Sequence, residues 1–478
     1  MLKYLVNKFK DNKIAIFFFA VIFSSYNSPF LFLLNYSELN IFNIFVIYQY
    51  ISPLVIFFFL ILYSYKLNFF YVFFSKKNLT LKLLLLINCV SIFGIFFNDL
   101  SYFYPVNEVS SQKLDRVLLD WKSSYTRLIF VINNLNIIFF SFICLKEGRL
   151  KFILSFIIGI LFIISFYYIF NILYDYIYFD HVIYFYESGK LALGSSTLNF
   201  VNPRSSGLAR TVLLISIFFL LFFLFYRSKN IFYNKYFKFI ILFLVIFINF
   251  LIIHLQSRVS IYFLYIFLLF LIFFNFFSRL YKIKKFILFI FFIFILPFFL
   301  SIIFTEYKKA KIIDYFVQDS LSKGILIDRS KVNIDHSLFN TRVFDRTTSG
   351  RTGLWTKAIK SYNKIPLLGY GVLGDRFAYS FSVSNIFLYF LISGGLIGFF
   401  TIILFNIHLV KNIIAVLISR KLFNNSEPFF HISFIFILFF LFRSLVENSY
   451  GQFSIDLMIF VPACLIFENY LRQYKIIS

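Results

Sequence analysis

Cysteine is nearly absent: Cys89, Cys144 and Cys464 are the three in 478 residues, and all lie in or beside apolar runs. That leaves no basis for a disulfide framework and suits small core residues better than metal ligands. Charge is also scarce, at 14% of residues. The chain has no Walker A loop, no G-x-G-x-x-G and no H-E-x-x-H, so nucleotide-cradling and zinc-hydrolase chemistries have no foothold in it. A clear D-x-D pair for a divalent metal is lacking as well, so neither a metal nor a cofactor is expected. Any phosphate chemistry would rest on cationic side chains.

What is abundant is apolar and aromatic: 61% hydrophobic residues, 79 of them Phe, with a mean hydropathy of +0.85. A soluble globular chain is closer to half apolar. The composition predicts an all-α, polytopic integral membrane protein in one membrane-embedded domain, residues 1–478. The surplus of Phe, Ile, Asn and Lys points to an AT-rich coding bias, so the formal charge of +25 is partly background. It fits anionic lipid surfaces and an anionic substrate, and no nucleic acid partner is expected.

A span needs about 20 residues, and about twelve are expected: 14–34, 41–63, 81–98, 127–145, 152–174, 209–226, 237–255, 260–277, 286–304, 385–406, 429–446 and 453–470. No small-residue cleavage site follows the basic start, so the first is read as a retained helix. With Met1 in the cytoplasm, the Lys- and Arg-rich connections (Lys76 and Lys77, 146–151, 227–238, 279–285, 411–421, 472–475) all fall inside. Both termini are then cytoplasmic, and two long loops, 175–208 and 305–384, lie outside. Arginine is concentrated outside, about 11 of 16 against about 11 of 30 lysines. Planar, always-charged guanidinium groups suit phosphate or diphosphate.

The stretch from Ser349 to Gly398 organises the rest. Leu354, Trp355, Ala358, Ile359 and Tyr362 fall on one helical face and Lys357, Lys360 and Lys364 on another, the pattern of a short helix lying on a surface. Pro366 ends it. Gly369, Gly371 and Gly374 then permit a sharp turn and a close backbone approach to a ligand. Arg351 before the helix and Arg376 after the turn offer two guanidinium groups to one anion. A plain surface helix followed by an ordinary turn explains the same residues.

The order Gly350-Arg351, Trp355, Ala358, Pro366, Gly369-x-Gly371, Ser384-Asn385, Leu388 and Gly394 to Gly398 resembles the O-antigen ligase and O-antigen polymerase family of bacterial membrane glycosyltransferases. The resemblance implies an inner-membrane enzyme whose periplasmic loops handle an undecaprenyl-diphosphate-linked oligosaccharide, among membrane lipids and alongside a chain-length regulator and a flippase. In many relatives, ligases above all, a histidine precedes the asparagine of Ser384-Asn385. Its replacement by Ser384 favours the polymerase branch over the ligase.

Three further motifs resemble the same family. Asn199 to Arg210 places Arg204 and Arg210 about a Pro203/Gly207 turn at a span boundary, where headgroup anchoring is the competing explanation. Gln256 to Ser260 holds Arg258 in a tight turn between spans. Phe442 to Ser449 puts Arg443 and Glu447 four apart on one face, either as a helix-end ion pair or as catalytic groups. Transfer of a glycan to a sugar hydroxyl would use Arg204, Arg210, Arg258 and Arg351 on the diphosphate, with Arg376, Arg443 and Asn385 as further binding groups. Glu447, Asp375 and His336 are the candidate bases. A transporter of lipid-linked sugars is the non-enzymatic alternative; it calls for mid-membrane charges and internal repeats, and the spans are read as nearly free of charge.

Overall fold

The computed structural model describes residues 12–26, 44–69, 79–97, 124–178, 205–225, 235–254, 257–278, 283–303, 351–360, 365, 367–375, 383–419, 427–451 and 454–474. Most of the two long loops, with Arg204, His336 and Arg376, therefore lies outside the described residues. All regular structure among the described residues is helical. In chain order the helices are α1 (Lys13–Tyr26), α2 (Ile44–Lys66), α3 (Leu79–Phe97), α4 (Ser124–Lys146), α5 (Leu150–Tyr178), α6 (Ser205–Phe225), α7 (Lys235–His254) and α8 (Arg258–Ser278). They continue with α9 (Ile283–Ile303), α10 (Arg351–Lys360), α11 (Ile386–Ile418), α12 (Pro428–Ser444) and α13 (Ile455–Gln473). Each of the twelve expected spans overlaps one of these helices. Seven of them, α3, α4, α5, α6, α8, α9 and α11, are long and apolar enough to cross a membrane among the described residues, and α1, α2, α7 and α12 are shorter apolar helices. The protein is a multi-pass, all-α membrane protein.

The helices group into two compact units. The first comprises residues 1–157, 348–422 and 429–478; the second comprises 158–347 and 423–428. In the first, α4 is surrounded by α1, α2, α3 and α13, while α11 packs along α3. Burial on all sides explains why α4 tolerates so much amide: its Asn133, Asn134 and Asn136 face protein rather than lipid. Asn134 donates to Asn88 Oδ1 on α3 at 2.9 Å, and Asn136 donates to the Pro53 carbonyl of α2 at 3.0 Å. In hydrocarbon a buried amide without such a partner would cost several kcal/mol, so these bonds fix neighbours and register.

In the second unit α6 packs on α7 and α8, and α7 packs on α9. Helix α9 contains a π-helical turn, Phe291–Ile295. The Ile293 carbonyl in that turn accepts from Asn249 Nδ2 on α7 at 2.8 Å, and Asn249 Oδ1 accepts from the Ser216 hydroxyl on α6 at 2.7 Å. One amide thus ties three helices together and satisfies a carbonyl at a ladder irregularity.

Two expectations change. Helix α11 does not stop near residue 406: Ile402, Phe405, Leu409, Ile413 and Val416 continue a buried stripe at three- and four-residue spacing, so Lys411 sits in a helix rather than in a loop. Nor is α11 continuous. Gly395 has φ 60° and ψ −156°, a region essentially reserved for glycine, and it breaks the ladder. The Ile392 and Ser393 carbonyls are served instead by the N–H groups of Tyr370 and Gly371, at 2.8 and 2.7 Å. The turn 367–374 is therefore a plug in the side of a membrane helix.

Gly369 and Gly371 hold φ of +68° and +78° there. A Cβ on Gly369 would lie 2.3 Å from the Gly395 nitrogen, a backbone atom that has no room to withdraw. Gly369→Ala should therefore destabilise the folded protein by about 3 kcal/mol or more, from left-handed strain plus overlap. Gly159→Ala, mid-helix in α5 with nothing within 4 Å of the new atom, should be neutral or stabilising by about 0.5–1 kcal/mol. Thermal unfolding of the two variants in detergent compares them directly.

Candidate functional site

The glycine turn, the start of α11 and the end of α12 converge at one end of the first unit. Leu373, within the plug, has φ 61°, and its N–H points to the Tyr389 hydroxyl at 3.4 Å. Two residues on, Asp375 is fully buried, and its Oδ2 accepts from the Val383 N–H at 2.8 Å. That bond ties Val383, two residues before Asn385, to the end of the glycine turn. Asn385 is the N-cap of α11: its Oδ1 accepts from the N–H groups of Phe387 and Leu388 at 2.9 and 3.1 Å. Its Nδ2 donates to the Leu445 carbonyl, at 2.8 Å, in the turn after α12. An N-cap amide contributes about 1 kcal/mol; here it also joins α11 to the turn that carries Glu447.

Arg443, in the last turn of α12, is clasped by two carboxylates. One terminal nitrogen pairs with Asp456, in the first turn of α13, and the other with Glu447. The two partners differ in access: the Asp456 side chain is 3% exposed, that of Glu447 24%. A guanidinium held between two carboxylates uses its planar fork on both. The ion-pair explanation for Arg443 and Glu447 is thus the geometry observed, with Asp456 as the more deeply buried partner. The cluster as a whole carries one more carboxylate than guanidinium groups.

Against the residues expected from sequence, four come together in this bonded chain: Asp375, Asn385, Arg443 and Glu447. Arg351 is the first residue of α10, which packs on α11. Arg210 in α6 is half-buried and Arg258 opens α8, both within the second unit. The apolar face expected on α10 is narrower than its spacing implied. Ala358 is buried and Trp355 half-buried, but Ile359 is 54% exposed, in a helix that packs on α11. The close approach provided by Gly369 and Gly371 is to protein: to the broken backbone of α11, and to Ile95 and Arg127.

Arg127, Asp456 and Glu468 were not expected from the sequence. Arg127, in the first turn of α4, is 1% exposed and donates from Nε to the Val372 carbonyl at 3.0 Å. Asp456 is the buried partner of Arg443, and Glu468, buried towards the other end of the same helix, pairs with Arg472 at 3.1 Å. The last expected span is therefore not free of charge, although its carboxylates stand near its two ends and each has a cation. A signal existed for Arg127 and Asp456. Arg127 opens a span whose next ten residues hold three asparagines, and an aspartate inside an apolar run calls for a cation somewhere.

The comparison with known families bears on the stretch from α7 through the plug. Residues 242–403 match the O-antigen ligase family. The match takes in α8, α9, α10, the glycine turn and the broken first part of α11, and stops before the Arg443 cluster. It supports the O-antigen ligase and polymerase family for this chain and does not separate the two branches. No curated protein and no solved structure matches the chain.

Removing Asp456 leaves a buried guanidinium with its more exposed partner alone. Asp456→Ala should cost about 3–5 kcal/mol of stability, whereas Glu447→Gln, at the wetter side of the same arginine, should cost about 1 kcal/mol or less. Thermal melts of the two purified variants give the ranking.

Proposed function

We propose that the protein is an O-antigen polymerase: a glycosyltransferase that moves an undecaprenyl-diphosphate-linked glycan onto a sugar hydroxyl of another lipid-linked repeat unit, at the periplasmic face of the inner membrane. The observation that carries the reading is Ser384, at the position where by the resemblance many relatives, ligases above all, have histidine, together with the family match over residues 242–403. The O-antigen ligase reading, transfer of the finished chain to lipid A core, is the second, and the family match is equally compatible with it.

In the proposed reaction Arg204, Arg210, Arg258 and Arg351 hold the diphosphate and offset the charge that develops as the sugar–phosphate bond breaks. Each preorganised donor is worth ~10² to 10³ in rate. The sequence offers no divalent-metal pair, so the arginines take that role. Of the candidate bases, Asp375 already accepts the Val383 N–H and is wholly enclosed, whereas Glu447 has access to its surroundings. Glu447 therefore deprotonates the acceptor hydroxyl. Arg376 and Asn385 are further binding groups, Asn385 also fixing where α11 begins. Both chain termini lie in the cytoplasm, and a chain-length regulator and a flippase work beside the enzyme.

The test is the gel profile of surface glycan from a deletion strain complemented with wild type or with Arg351→Ala. Polymerisation requires that deletion leave lipid A core carrying a single repeat unit, and that Arg351→Ala reach the membrane and give the same profile. Bare core with long polymer held on the undecaprenyl carrier gives the function to the ligase.

A further inference from the structure

Arg127 is a guanidinium placed inside the bundle, and burying one without a purpose is expensive. Its contact is with the carbonyl of Val372, 245 residues away, at the centre of the glycine turn. The fit is close on both sides: a Cβ added to Gly371 would lie 2.8 Å from Arg127 Nη2 and 2.4 Å from Ile95 Cγ1. Gly94 on α3 is equally confined, since a Cβ there would lie 2.7 Å from Gly371 N and from Leu368 O. The turn is thus gripped from three helices. Helix α3 supplies a smooth wall, α11 supplies two carbonyls, and α4 reaches in with a charged side chain. The residues flanking the turn are those of the site: α10, with Arg351 at its start, lies before it, and Asp375, which ties down Val383 ahead of Asn385, lies three residues after Val372.

We propose that Arg127 is a positioning residue for the transfer reaction: through Val372 it latches the glycine turn against α3 and α11 and so sets where α10 and Asp375 stand. The proposal rests on the polymerase reading for the reaction, but the latch itself is a statement about the fold. A planar donor buried beside a turn with φ of +68° and +78° holds that turn at one depth in the bundle. A displacement of about 1 Å in groups that orient substrate lowers rate by roughly 10²-fold. Arg127 touches no substrate in this scheme, so it acts on turnover and not on substrate affinity.

The experiment uses membranes carrying the full-length protein, supplied with lipid-linked repeat units extracted from the deletion strain. Arg127→Met is expected to lower kcat about 100-fold with KM for the extract within about two-fold, and Arg127→Lys, which keeps a donor, to lose about 10-fold. Gly371→Ala is expected to lower kcat similarly and to be non-additive with Arg127→Met, as coupled positions are. An activity-independent arm measures trypsin cleavage at Lys360, Lys364 and Arg376, which flank the turn. Cleavage should speed up about tenfold in Arg127→Met and partly recover in Arg127→Lys, the effect of losing one buried bond of about 1.4 kcal/mol.

Wild-type kcat per folded molecule in Arg127→Met would mean a purely structural arginine and overturns the proposal. So does a raised KM at unchanged kcat, which would make Arg127 a substrate contact. If wild-type membranes extend no chains, the polymerase reading fails, and the cleavage rates alone decide the latch; unchanged rates overturn it.

Discussion

In hydrocarbon every backbone N–H and C=O must find a partner inside the protein. That constraint shapes the region around Gly395 more than any single contact does. Once the ladder of α11 breaks, the carbonyls of Ile392 and Ser393 need donors, and Tyr370 and Gly371 provide them. The donors come from a segment that is not itself helical, so that segment must lie against the helix without intervening side chains. Gly369 and Gly371 make this approach possible, Gly94 clears the opposite wall, and Arg127 takes up the Val372 carbonyl. The depth at which the loop enters the bundle satisfies these hydrogen bonds and also buries Tyr370, Val372 and Leu373.

Charge obeys a related rule at the same end of the unit. Arg443 would be costly alone at the edge of a membrane, and it is held by Asp456 and Glu447 from two different segments. Asp456 opens α13 and Glu447 follows α12, so the arginine joins the two ends of a short connection. Asn385 performs the neutral counterpart one helix away, capping α11 with one atom and reaching the α12 turn with another. Charge and amide together make the ends of α11, α12 and α13 one surface.

What the sequence revealed depended on how far apart the interacting residues lie. Hydrophobic runs located helices because membrane burial is written locally, residue after residue. The pairing of Arg443 with Glu447 was legible because four residues make one helical turn. Its pairing with Asp456 was not, since 13 residues and a change of helix intervene, and the 245 residues from Arg127 to Val372 carry no local trace. The glycines of the turn announced a sharp turn and a close approach to a ligand; Gly369 and Gly371 hold positive φ, and the close approach is to protein. What they approach is a broken helix, and a break whose carbonyls are served by donors 22 residues upstream has no signature in the run I-S-G-G-L-I-G itself. The extension of α11 past residue 406 hid behind Asn406 and Asn412, whose side chains bond within their own helix to the Ile402 carbonyl and to His408.

Because Asn385 makes both the cap of α11 and the bridge to Leu445, the residue before it has no structural duty of that kind. Position 384 is half-buried and follows Val383, whose N–H donates to the buried Asp375, yet the helix start does not depend on its side chain. It is a socket whose side chain can be exchanged while the cap of α11 and the bridge to the α12 turn stay in place, with little folding penalty.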